Sequence, residues 1–254
     1  MGNLASVAKG LERAGAAVRL SAEPTVVRRA GALVLPGVGA FRDAVARLRE
    51  SGLADVLLAR LRAGVPLLGV CLGLQLLCER SLEGGDWQGL GVFGGTVERI
   101  ETGDPGLKVP HMGWNTVEVR AAGEPMFAGV GGSHFYFVHS YAVRPSDESV
   151  VAGVTDYGGE RPAALVRGPV WAVQFHPEKS SRAGLRLLAN FVAMADGAKR
   201  SPLRSRLTTT ESETSAESGT SAYPTKATGT KTSGTKAGAA TTRDTTKNPT
   251  GSEP

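Results

Sequence analysis

An unbroken apolar run, Val65-Pro66-Leu67-Leu68-Gly69-Val70, leads directly into Cys71-Leu72-Gly73 and a second apolar stretch, Leu74 to Leu77. A strand that is apolar on both faces has to be covered on both faces, the situation of a parallel sheet sandwiched between helices. The sequence Gly69-x-Cys71-x-Gly73 at its end predicts a sharp strand-to-helix turn, because glycines on either side let the backbone double back without clashes. A side chain held at such a turn points outward. Cys71 is therefore placed for attack, and the positive end of the following helix favours its thiolate form. Taken alone, it is also a residue type common in cores.

The flanking sequence agrees with an α/β layer structure. Leu4, Val7, Ala8 and Leu11 recur at helical spacing behind Asn3, a plausible N-cap, and stop near Gly15. A strand is expected over 16–20 and another at Ala32-Leu33-Val34-Leu35, ended by Pro36-Gly37-Val38-Gly39. Helices follow, marked by Phe41, Val45 and Leu48 and then by Leu53, Val56, Leu57 and Leu61. From Gly91 onward strands dominate: 93–100, 114–119, 134–143, 149–154, 163–166 and 170–175. A last helix over 181–194 lines up Leu185, Leu188, Ala189 and Val192. The expected fold is α/β, an open and mainly parallel sheet flanked by helices, with a strand-rich second half. In such sheets sites form beyond the carboxyl ends of strands, where both the 36–39 loop and Cys71 lie.

A cysteine nucleophile needs a base to take its proton and a third group to orient that base. Val170-Trp171-Ala172-Val173-Gln174-Phe175 runs as an apolar strand into His176-Pro177-Glu178. Two residues apart in an extended segment, His176 and Glu178 project to the same side, and Pro177 ends the ladder. Singly, each has an ordinary structural reading. Together with the cysteine turn they compose a Cys-His-Glu triad.

Residues 1–196 are expected to form one domain, and 197–254 a disordered Thr/Ser/Gly/Lys-rich tail with too little apolar content to offset the entropy of ordering. The net charge of +5 sits mostly beyond residue 198, where nine Lys or Arg face five acids. The high pI is thus a property of the tail, and no nucleic-acid-binding face is expected on the domain. Cys71 and Cys78, the only cysteines, would lie roughly 10 Å apart on one helix, too far for a disulfide. No apolar run reaches the ~20 residues of a membrane span. A cytoplasmic protein is expected, with no membrane, metal or cofactor involvement.

With these residues in view, the chain resembles the class I (triad) glutamine amidotransferases of flavodoxin-like fold, and among them the glutaminase subunits of imidazole glycerol phosphate synthases. Four segments of residues 1–195 carry the resemblance: Leu35-Pro36-Gly37-Val38-Gly39-Ala40-Phe41, Gly69 to Leu77, Pro110-His111-Met112-Gly113-Trp114-Asn115 and Gln174-Phe175-His176-Pro177-Glu178-Lys179. The second and fourth point to the class, and the third discriminates within it. The resemblance implies hydrolysis of glutamine to glutamate and ammonia, with the ammonia passed to a (β/α)8-barrel cyclase subunit in a heterodimer serving histidine biosynthesis. It implies Cys71, His176 and Glu178 as the triad, and backbone amides at Val38 and Leu72 as the oxyanion hole. Glutamine would be bound by Gly39, Gln75, Glu83, His139, Ser140 and Tyr141, and the cyclase would be faced by His111, Trp114, Asn115 and Lys179. Family members usually begin with an apolar strand and an Asp-Tyr-Gly-x-Gly-Asn turn, whereas this sequence opens at Met1-Gly2-Asn3. A first strand is therefore expected to be missing upstream, leaving neighbours with unpaired backbone groups. Alternatives are a glutaminase partner of another synthase, a cysteine hydrolase of the same α/β type, or a non-catalytic interaction subunit.

Overall fold

The computed structural model describes residues 2–199 of the chain. Helices α1 (Gly2–Arg13) and α2 (Pro24–Arg29) precede strand β1 (Leu33–Gly37), followed by α3 (Phe41–Glu50), α4 (Leu53–Arg62), β2 (Leu67–Cys71) and the short α5 (Leu72–Leu76). Seven strands follow: β3 (Cys78–Ser81), β4 (Trp87–Gln88), β5 (Phe93–Arg99), β6 (His111–Thr116), β7 (Glu118–Val119), β8 (His134–His139) and β9 (Tyr141–Pro145). The described chain ends with β10 (Val151–Asp156), β11 (Glu160–Arg167), β12 (Val170–Val173), a 3-10 turn at Pro177–Lys179 and α6 (Ser181–Lys199).

The main sheet has the order β1-β2-β12-β11-β10-β7. Its β1, β2 and β12 run parallel, with Leu33 opposite Leu67 and Val170 opposite Leu67 on the other edge. From β12 outward the pairings are antiparallel, so the sheet is mixed and its parallel part is the half that bears the cysteine turn. Alternate residues of β2 feed two cores. Leu67 packs with Phe41, Leu57 and Leu74 on one side, and Leu68 and Val70 pack with Leu11, Leu187 and Phe191 on the other. Burial on both faces is why this strand reads as a continuous apolar run. A four-stranded sheet, β4-β3-β5-β9, and a two-stranded ribbon, β6-β8, complete the strand-rich half.

Several local expectations are corrected. The 16–20 segment forms no strand, although Ala16 and Val18 pack against the core at period-two spacing. A strand needs a neighbour to pair with, and none lies beside it among the described residues. The outer edge of β1 likewise has no strand partner there. Between the two lies a groove of about 1250 Å³, lined among others by Leu11, Val18, Val34, Leu35 and Phe191. Residues 134–143 are two strands in different sheets, β8 and β9. The elbow helix stops at Leu76, so Cys78 opens β3 instead of continuing the helix. The final helix runs through Lys199, longer than the 181–194 expected for it. The rest of the expected tail lies outside the described residues.

Candidate active site

Cys71 ends β2 with φ 55° and ψ −109°. A non-glycine residue in this region carries strain of about 1–3 kcal/mol, which surrounding packing has to hold in place. Here the restraint is the close approach of α5 to β1. A Cβ built on Gly73 would fall 1.8 Å from the Leu35 carbonyl oxygen, so only glycine permits this approach. The turn directs Cys71 toward the carboxyl end of the neighbouring parallel strand β12, and there His176 emerges two residues after Gln174. Strand adjacency thus joins residues far apart in sequence.

The His176 imidazole is buried, and its Nδ1 lies 2.8 Å from Glu178 Oε1, whose side chain is itself fully buried. With Nδ1 engaged, Nε2 is left for the Cys71 thiol, and the interaction of the two side chains favours the protonated imidazole. Burial alone would lower the His176 pKa. The hydrogen bonds to Cys71 and Glu178, and the negative charge those groups carry, prevail and raise it to about 9. A protonated His176 imidazole beside the Cys71 sulfur is therefore favoured at neutral pH. Glu178 Oε2 has no hydrogen-bond partner among the described residues.

Ser180, which sequence reasoning missed, locks His176 from behind. Its hydroxyl donates to the His176 carbonyl at 2.6 Å and accepts from the Tyr136 amide at 3.0 Å. The His176 amide in turn donates to the Tyr136 carbonyl at 2.9 Å. Strand β8 is in this way tied directly to the turn holding His176.

The other expected site residues divide into groups. Leu72 follows the cysteine at the first position of α5, where its amide is available to an oxyanion. Val38 is exposed at the tip of the 36–39 loop, and Gly39 has φ 102° with open space where a side chain would be. Gln75 is buried and donates to the Tyr141 carbonyl at 3.0 Å and to Gln174 Oε1 at 3.2 Å. Glu83 is occupied at the start of α3, where its carboxylate accepts from the Phe41 amide at 2.9 Å, a favourable position for an anion. His139 is buried with Nδ1 2.7 Å from the Tyr141 carbonyl, and Ser140 links β8 to β9.

His111, expected on the outer face, is instead buried. Its ring stacks between Phe137 and Tyr157 at centroid distances of 4.5 and 3.9 Å. The pleat explains the difference: His111, Gly113 and Asn115 share one face of β6, while Met112 and Trp114 share the other and are exposed. Trp114 packs edge-on against Tyr136, and the Lys179 ammonium lies 5.6 Å above the Tyr136 ring. Trp114, Tyr136 and Lys179 thus form one surface cluster, with Tyr136 the member that sequence reasoning missed. No group of three or more metal-ligating side chains occurs among the described residues, and no helix among them is long and apolar enough to cross a membrane.

The family profile described as glutamine amidotransferase class-I matches residues 5–195. An imidazole glycerol phosphate synthase subunit HisH from Rhodopirellula baltica is 50% identical over 192 residues, covering 75% of this chain and 92% of that protein. A protein of the same description from Moorella thermoacetica is also 50% identical, over 75% of this chain and 90% of its own. A crystal structure of a glutamine amidotransferase superposes with a TM-score of 0.61 at 24% identity, covering 77% of this chain and 95% of the other. At that identity the superposition speaks for the fold alone.

Proposed function

The chain belongs to the class-I glutamine amidotransferases, and from that premise we propose that it is the glutaminase subunit of an imidazole glycerol phosphate synthase. The observation that carries the reading is the buried array in which Glu178 holds His176 at 2.8 Å and the Cys71 thiol at the strained elbow helps to raise the His176 pKa. In the proposed reaction, Cys71 Sγ attacks the glutamine carboxamide carbon. The oxyanion that forms is stabilised by the amides of Leu72 and of Val38 in the glycine loop. His176, protonated beside the thiolate, gives its proton to the departing ammonia. It then takes a proton from water, which attacks the γ-glutamyl thioester and releases glutamate and the thiolate. Glu178 keeps the imidazole oriented and stabilises its cationic form. Glutamine would lie along Gly39, Gln75, Glu83 and the 139–141 backbone.

Both relatives are named as subunits, and we extend that to a cyclase partner that consumes the ammonia. The surface cluster of Trp114, Tyr136 and Lys179 suits such an interface, because aromatic side chains are enriched at interface centres. Ammonia release from glutamine, measured with and without an added cyclase subunit and its nucleotide substrate, tests the reading. Turnover should rise with the cyclase and vanish in Cys71→Ala, while synthesis from free ammonia persists. Glutaminase activity retained by Cys71→Ala would refute it.

A further inference from the structure

Gln174 is fully buried at the end of the β12 segment and donates from Nε2 to Cys71 Sγ at 3.8 Å. The two ends of a carboxamide have the same shape, so which end faces the sulfur depends on what holds the other. Gln75 Nε2 lies 3.0 Å from the Tyr141 carbonyl, which can only accept, so this end of Gln75 is the amide nitrogen. Its second hydrogen meets the Gln174 oxygen at 3.2 Å. That pairing turns the nitrogen of Gln174 toward Cys71.

The same logic extends outward. His139 Nδ1, 2.7 Å from the Tyr141 carbonyl, has to carry a hydrogen. In the neutral ring its Nε2 is then an acceptor, and His111 Nδ1, 3.2 Å away, donates to it. This leaves His111 Nε2 to accept from Asn115 Nδ2 at 3.4 Å. Asn115 is fixed in turn by donating to the Asp156 carbonyl at 2.8 Å and accepting from the Thr116 amide at 2.8 Å. One assignment of hydrogens satisfies every bond. Burial and the nearby Arg161 lower the His111 pKa to about 4, and burial foremost lowers that of His139 to about 3, so both rings are neutral near pH 7.

We propose that Gln174 is a catalytic residue that presents a fixed N–H to the Cys71 sulfur, that Gln75 held by the Tyr141 carbonyl sets its orientation, and that His139, His111 and Asn115 are a relay of positioning residues that fixes that carbonyl. The proposal rests on Cys71 being the nucleophile. The donor acts whenever the sulfur bears negative charge, before attack and again as the thiolate leaves the thioester. The far end of the relay is Asn115, on the same face of β6 as His111 and opposite that of Trp114.

The test uses the full chain with Gln174→Met, which matches length without polar atoms, and Gln174→Glu, which keeps an acceptor for Gln75 but sets a carboxylate against the sulfur. Alkylation of Cys71 by iodoacetamide at neutral pH, and kcat for glutamine, should fall about tenfold in Gln174→Met and further in Gln174→Glu, the loss expected for one hydrogen bond to an ionised group. KM should change much less than kcat. Imidazole nitrogen NMR of the unsubstituted chain should show the Nδ1–H tautomer at both His111 and His139, a readout that needs no variant to fold. Unchanged alkylation in both folded variants, or an Nε2–H tautomer at either histidine, overturns the proposal. Glutaminase activity surviving Cys71→Ala would instead overturn the nucleophile assignment while leaving the tautomers untouched.

Discussion

Gly73→Ala offers the sharpest test of how the elbow is held. The added methyl carbon would sit 1.8 Å from the Leu35 carbonyl oxygen and 2.9 Å from its carbon. Real Cβ contacts essentially never fall below 3.0 Å, so α5 and β1 have to separate by more than 1 Å. The obstacle is backbone in a paired strand and cannot rotate away. Overpacking of this kind costs about 3 kcal/mol or more, which for a domain of this size lowers the melting temperature by roughly 6–12 °C. Because Cys71 lies two residues from the shifted point, turnover should fall on the order of a hundredfold, the penalty for a displacement of about 1 Å at a reacting atom. Gly10→Ala is the control. Its methyl would meet only side-chain ends, Leu188 Cδ1 at 2.6 Å and Leu185 Cδ2 at 3.9 Å, and the helix interior gains about 1 kcal/mol from alanine. Thermal melting and ammonia release on both variants settle the matter. A Gly73→Ala protein with the melting point and turnover of the parent would refute the claim that this contact holds the nucleophile.

Among the triad, His176→Ala should lose most of the turnover and Glu178→Gln less, because the orienting group does not itself transfer the proton; the reverse ranking at saturating glutamine would redraw the roles. Stability should fall on both sides of pH 6.5. His111 and His139, lowered to about 4 and 3, contribute stability present above the unfolded value of 6.5 and lost as pH falls through those values, whereas His176, raised to about 9, contributes stability present below 6.5 and lost as pH rises through 9. Each pKa unit separating the states is worth about 1.4 kcal/mol, so a melting temperature flat from pH 7 to 4.5 would contradict two buried neutral imidazoles. Joining an apolar extended segment ahead of α1 should raise the melting temperature by filling the groove beside β1 and pairing its free edge. Identical melting with and without the segment would show that the groove is no strand site.

The parts of this molecule legible in the sequence are those encoded locally. The elbow, His176 and Glu178 each sit in a short stretch whose periodicity breaks at a glycine or proline, so their backbone setting could be read directly. Gln174 was overlooked because it lies inside an apolar run, yet a lone carboxamide among Val173, Phe175 and their neighbours is itself a signal that a buried partner waits for it. His111 was misplaced because its motif was treated as a unit; counting the pleat from Trp114 puts the two residues on opposite faces. The roles of Tyr136 and Ser180 depend on β8 meeting the His176 turn, a long-range contact that no local pattern announces. The strand expected at 16–20 has the right alternation but no described neighbour, which shows that period two marks the ability to pair and not pairing itself.

The central claim, that Cys71 is the glutamine nucleophile, is tested most directly by a glutamine analogue bearing an electrophilic ketone in place of the carboxamide, followed by peptide mass mapping. One adduct per chain is expected, on Cys71, slowed by added glutamine and absent from Cys71→Ala. An adduct on Cys78, whose thiol burial pushes up to about 12, or equal labelling of Cys71→Ala, would contradict the account.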